Sequence, residues 1–175
     1  MARSKGRKRI LWAPGATYAV PLTDGSFGLA QAVDTMMENV IYVALFADRF
    51  SELPVGPPPL RRGSIVSLTA TWRQHLNRGD WPFLGQASLC VGKSAFPNER
   101  FARNGYVGAK HADAGLLAQF LSAYHGLLPW NAMYLEDYYD KFLAPGVSRP
   151  ANAVILDSAA RTAYQITHFG KPLPA

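Results

Sequence analysis

Apolar and polar residues alternate along the first third of the chain with the period of two that marks β-strands. From Thr17 to Val33 two such runs flank Asp24-Gly25, which predicts a β-hairpin. Asp-Gly supplies the positive φ of a tight turn, and Gly28 permits a bulge or a close backbone approach. Val40-Ile-Tyr-Val-Ala-Leu-Phe46 is a β-branched and aromatic run suited to a central strand. Three strands in succession imply an antiparallel meander. The stretch Leu53 to Gly63 carries four prolines, which remove backbone donors and favour extended polyproline geometry, so a loop is expected there. Alternation resumes from Ser64 to Trp72 as a fourth strand. After a turn at Asn77-Arg-Gly-Asp80, Trp81 to Val91 reads as a fifth, with Pro82 placing its start at a sheet edge. Phe96 to Lys110 has no sustained period and reads as a long loop.

The period then changes to that of a helix. Leu116, Leu117, Phe120, Leu121 and Tyr124 recur on one face of a predicted helix over 112–124, with Asp113 as N-cap and Gly126 and Pro129 as the stop. Asn131 is expected to cap a second helix. Its stripe Tyr134, Leu135, Tyr138, Tyr139, Phe142 and Leu143 faces the sheet and ends at Pro145-Gly146, while Glu136, Asp137, Asp140 and Lys141 occupy the other side. Ala153 to Asp157 and Arg161 to Phe169 read as a closing hairpin, or as a last strand with a frayed partner. The fold expected is α+β: a bent antiparallel sheet or partly open β-barrel of five to seven strands, with two C-terminal-half helices packed on it. Residues 1–10 are expected to be a basic flexible tail, 11–150 one α+β domain, and 151–175 a closing strand or hairpin of the same domain with a frayed end.

Composition supports a packed core, since 49% of the 175 residues are hydrophobic and 17% charged. The formal charge of +6 suggests nucleic acid until its location is considered. Arg3, Lys5, Arg7, Lys8 and Arg9 supply five of the 18 basic residues, leaving 13 against 12 acidic ones over the rest of the chain. That arm is either a solvated tail or a salt-sensitive, sequence-blind contact for phosphates. Cys90 is the single cysteine, so no internal disulfide forms, and its apolar neighbours suggest a buried thiol. Ile10 to Ala13 after the basic start imitates a secretory leader, but Pro14-Gly15 interrupts it. No apolar run reaches the length of a membrane span. A soluble, cytoplasmic protein with no membrane partner is expected.

Candidate chemistry is sparse. Ala87-Ser-Leu-Cys-Val-Gly-Lys-Ser94 fits a permissive phosphate-binding loop, and Ala153 to Asp157 resembles an acidic strand that would hold magnesium. Yet the interior of that loop looks like strand, Pro97 falls where a helix should consolidate, and no βαβ rhythm surrounds it. A nucleotide-binding enzyme is therefore the remote alternative. His75, His111, His125 and His168 form no i, i+4 pair, and although His111 with Asp113 could orient a base, no serine or cysteine sits in a nucleophile elbow. No catalytic residue, metal or cofactor is expected, and the chain is read as a non-enzyme. Two stretches stand out as partner-binding candidates. One is the basic loop with Arg100, Arg103 and Tyr106; the other is the acidic-aromatic helix with Glu136, Asp137 and Asp140. A small β-barrel nucleic-acid module using the basic tail is the second reading.

The segment from Tyr18 to Gly28 and the strand ending Ala44-Leu-Phe46 resemble the opening of the immunity protein 26 family of bacterial polymorphic toxin systems. Pro21, Leu22, Asp24, Gly25, Phe27 and Gly28 are the matching positions, and the resemblance extends over about residues 12–95 through Gly79-Asp-Trp-Pro82. It implies an α+β protein that binds and neutralises a cognate toxin by stoichiometric occlusion. The matched positions are turn and core residues, so the resemblance assigns no inhibitory surface. The basic arm and the segment after Pro150 have no counterpart in it.

Overall fold

The computed structural model describes residues 12–97 and 111–173. Its five strands are β1 (Ala16–Pro21), β2 (Phe27–Met37), β3 (Val40–Phe50), β4 (Ile65–Trp72) and β5 (Phe83–Gln86). They form one open antiparallel sheet in the order β4-β3-β2-β1-β5. Three α-helices that lie wholly within the described residues accompany it: the short α1 (Arg73–Arg78), α2 (Ala114–Tyr124) and α3 (Ser158–Phe169). The α+β fold is as expected, with strand number at the lower end of the predicted range. None of the helices is long and apolar enough to cross a membrane among the described residues.

The opening hairpin forms where Asp24-Gly25 predicts it. Gly25 adopts φ +84°, its amide donates to the Leu22 carbonyl at 3.1 Å, and the Leu22 amide donates to Ser26 at 2.8 Å. Alternation then sorts the strands' side chains onto two faces. One face carries Tyr18, Val20, Ala30, Ala32, Val43 and Leu45 beneath Leu117, Phe120 and Leu121 of α2, with Trp130, Tyr139 and Phe142 completing the core. Each large side chain buried there contributes about 1.5–3 kcal/mol. The opposite face, with Leu29, Val33, Tyr42 and Phe46, is covered by irregular chain: Leu60 of the proline-rich loop, then Val91 and Phe96.

That second cover corrects the predicted strand from Trp81 to Val91. Only Phe83–Gln86 pairs with β1; beyond it the chain leaves the sheet edge and crosses the face. Gln31, fully buried on β2, replaces the ladder there: its Nε2 donates to the Ser88 carbonyl at 3.0 Å and its Oε1 accepts from the Cys90 amide at 3.1 Å. The outer edge of β4 is likewise occupied, by the Ala112 amide on the Ala70 carbonyl and the Ala144 amide on Val66.

α2 matches its predicted span, with the Asp113 side chain accepting from the Gly115 amide at 2.7 Å. The second predicted helix does not form. Residues 131–137 are irregular and only a 3-10 turn, Tyr138–Phe142, follows. The closing hairpin is also corrected. Its residues 158–169 are helix α3, capped by Asp157 accepting from the Ala160 amide at 2.8 Å and stopped by Gly170 at φ +75°. Val154 makes only an isolated parallel bridge to Pro129.

Candidate functional site

The tail residues Arg3, Lys5, Arg7, Lys8 and Arg9, and the loop residues Arg100, Arg103 and Tyr106, lie outside the described residues. Glu136, Asp137 and Asp140 lie in the segment that replaces the second helix. An α-helix there would pair the carbonyls of residues 131–134 with amides four residues on. Side chains of α3 take those carbonyls instead. Arg161 donates through Nε to Asn131 at 2.6 Å and through Nη2 to Met133 at 2.6 Å and Tyr134 at 3.1 Å. Gln165, 4% exposed, donates to Ala132 at 2.9 Å and Met133 at 3.2 Å. Asn131, rather than capping a helix, exchanges two side-chain hydrogen bonds with the Leu156 backbone at 2.8 and 2.9 Å.

The consequence changes the expected facing at the start of the stripe only. Tyr139 and Phe142 turn into the core, while Tyr134 and Leu135 turn outward, 40% and 45% exposed. Glu136 and Asp137 stand beside them on the exposed side. Glu136 meets the Arg161 guanidinium at 3.3 Å. Asp140 belongs to the scaffold rather than to that surface: its carboxylate accepts from the buried Trp130 Nε1 at 2.7 Å and from Arg149 at 2.8 Å. Partial burial works against its charge, yet these hydrogen bonds hold the carboxyl below the usual aspartate range. Thus 134–137 is an exposed prominence, anchored at its start by α3, that combines two large apolar side chains with two acids.

Two other polar clusters invite a chemical reading. His75 of α1 lies between carboxylates, its Nδ1 2.8 Å from Asp80 and its Nε2 2.8 Å from Asp113, beside a pocket of about 310 Å3. Arg78 also reaches Asp80 at 2.8 Å. Hydrogen bonding from His75, opposed by desolvation and reinforced by Arg78, lowers the Asp80 pKa. With a carboxylate within hydrogen-bond distance of each ring nitrogen and the Arg78 guanidinium 3.0 Å from Nδ1, His75 ties α1 to the start of α2. At the hairpin tip, Ser26 Oγ donates to Asp24 and accepts from Arg49 Nε at 2.9 Å, and Arg49 also pairs with Asp24. That network closes the turn on β3.

The stretch resembling a phosphate loop follows β5 directly, but it is packed across the sheet face instead of wrapping an anion. Ser88 and Cys90 are latched to Gln31, Lys93 opens a 3-10 turn in which the Ala95 and Phe96 amides donate to the Gly92 and Lys93 carbonyls, and the Lys93 ammonium lies 3.4 Å from Asp34. Among the described residues no group of three or more His, Cys, Asp or Glu is placed to hold a metal ion. Sequence reasoning missed the Arg161 and Gln165 clamp, although Asp157 before the helix and Gly170 after it were the signals that would have exposed α3. No protein-family model, no curated protein and no solved structure matches this chain.

Proposed function

We propose that the chain is an immunity-type protein, which binds a cognate bacterial toxin one-to-one through the Tyr134–Asp137 prominence and silences it by occlusion. The observation that carries this reading is the loop's construction. Tyr134 and Leu135 are held outward by hydrogen bonds that α3 donates to the loop's own backbone. A surface loop ordered before binding loses little entropy on association, and exposed aromatic and aliphatic side chains ringed by polar groups are the usual energetic centre of a protein interface. Glu136 and Asp137 suit a partner with a basic rim. The resemblance in the opening hairpin supplies the partner class.

The test is bacterial survival. Co-expression with the toxin encoded beside this chain should restore growth, and Tyr134→Ala with Leu135→Ala should abolish protection while leaving the melting temperature within a few degrees. Unchanged killing in the presence of the wild-type chain contradicts the proposal.

A further inference from the structure

A cleft of about 250 Å3 opens between α3, the stretch 128–133 and the tip of the first hairpin. Leu128, Met133, Tyr139, Tyr164, His168 and Phe169 form most of its wall. No lysine, arginine, aspartate or glutamate is among the described residues that line it. Burial raises the phenol pKa of both Tyr139 and Tyr164, which keeps the two hydroxyls neutral. His168 lies flat on Tyr164, with ring centroids 3.8 Å apart and planes 17° from parallel. Its Nδ1 is 2.9 Å from the Tyr164 carbonyl; a carbonyl only accepts, so Nδ1 carries a proton and the ring is fixed in place against Tyr164.

We infer that this cleft receives one aromatic side chain of the protein partner, adjacent to a basic residue that meets Asp137. The inference deepens the proposed binding role and rests on it. Met133 joins the two features directly, lining the cleft while its carbonyl is held in the clamp that presents Tyr134 and Leu135. Cleft and prominence therefore share one rigid frame. An aromatic ring gains offset or edge contacts with Tyr139, Tyr164 and Phe169 and a sulfur contact with Met133, which an aliphatic plug forfeits. A charged plug would lose hydration without finding an opposite charge. The charge pattern, neutral inside the cleft and acidic on the neighbouring loop, selects an aromatic plug flanked by a cation.

Indole serves as the probe of the cleft, read by methyl NMR of the full chain. Titration should shift the Ala132 and Met133 methyl signals, and Met133→Trp, which fills the space, should remove the response at Ala132. Absence of shifts at those methyls in the wild type, or an equal Ala132 shift in the filled variant, overturns the inference. The same surface is then tested with the neighbouring toxin. Phe169→Asp places a charge at the exposed mouth and should weaken the complex about tenfold or more. If Phe169→Asp and Met133→Trp bind as tightly as wild type while Tyr134→Ala does not, the cleft is excluded and the binding role stands. If no complex forms with the toxin at all, the binding role falls and this inference falls with it.

Discussion

Gly15 holds φ +89° where β1 begins, its amide donating to Ala32 and its carbonyl accepting from Ala87, and a methyl group added there would sit 2.4 Å from the Ala87 oxygen. Gly25 holds φ +84° at the hairpin tip, where an added methyl meets nothing within 4 Å. Gly25→Ala should therefore cost about 1 kcal/mol from backbone strain alone. Gly15→Ala should cost clearly more, because the β1–β5 junction must shift; urea titrations of the two variants give the order directly. His125, at the C-terminus of α2, has a buried Nε2 with no hydrogen-bond partner among the described residues. Desolvation first, then the Arg49 charge, depress its pKa below the ordinary 6.5, against the opposing pull of Asp24 and Asp48. The unfolded chain thus binds this proton more readily than the folded one. Stability should be fully present above about pH 6.5 and decline as pH falls below it, and His125→Asn should flatten that decline in denaturation curves at pH 8 and pH 5.

Among the elements, α3 is held unlike α2. α2 buries Leu117, Phe120 and Leu121 in the core, whereas the one fully buried residue of α3 is Gln165. With so little of α3 buried, its docking depends on Arg161, through three hydrogen bonds and the Glu136 ion pair. Arg161→Ala removes three bonds to carbonyls, a loss of about 2 kcal/mol. Amide exchange in α3 should then rise by roughly thirtyfold while the β2–β3 amides keep their protection. Uniform acceleration across the sheet would show that α3 is part of the global unit. The same element explains where sequence reading succeeded. The hairpin and α2 are specified locally, by Asp24-Gly25 and by Asp113 ahead of a helical stripe, and both formed as expected. The stripe from Tyr134 to Leu143 has equally good periodicity, but its backbone acceptors are taken by side chains some thirty residues later, which no local pattern reveals. In α3 itself, Tyr164, Ile166, Thr167 and Phe169 carry strand propensity that hides a capped helix.

For the whole molecule, the sheet is a support with both faces covered and its β4 edge occupied, and the proposed interface is set apart on the 128–142 segment and α3. Sequence reading named Glu136 and Asp137 as partner-facing acids, and both are exposed; Asp140, named with them, is bound to Trp130 and Arg149. It assigned Tyr134 and Leu135 to the core, because their outward turn depends on the long-range clamp. The central claim is one-to-one capture of a toxin through that loop. Calorimetric titration of the purified chain with the proposed toxin partner measures it most directly. The account predicts a stoichiometry of about one and a loss of about thirtyfold or more in affinity for the Tyr134→Ala, Leu135→Ala double variant, the loss expected of an interface centre. The absence of binding heat under conditions where the toxin is folded, or a double variant that binds as tightly as wild type, contradicts it.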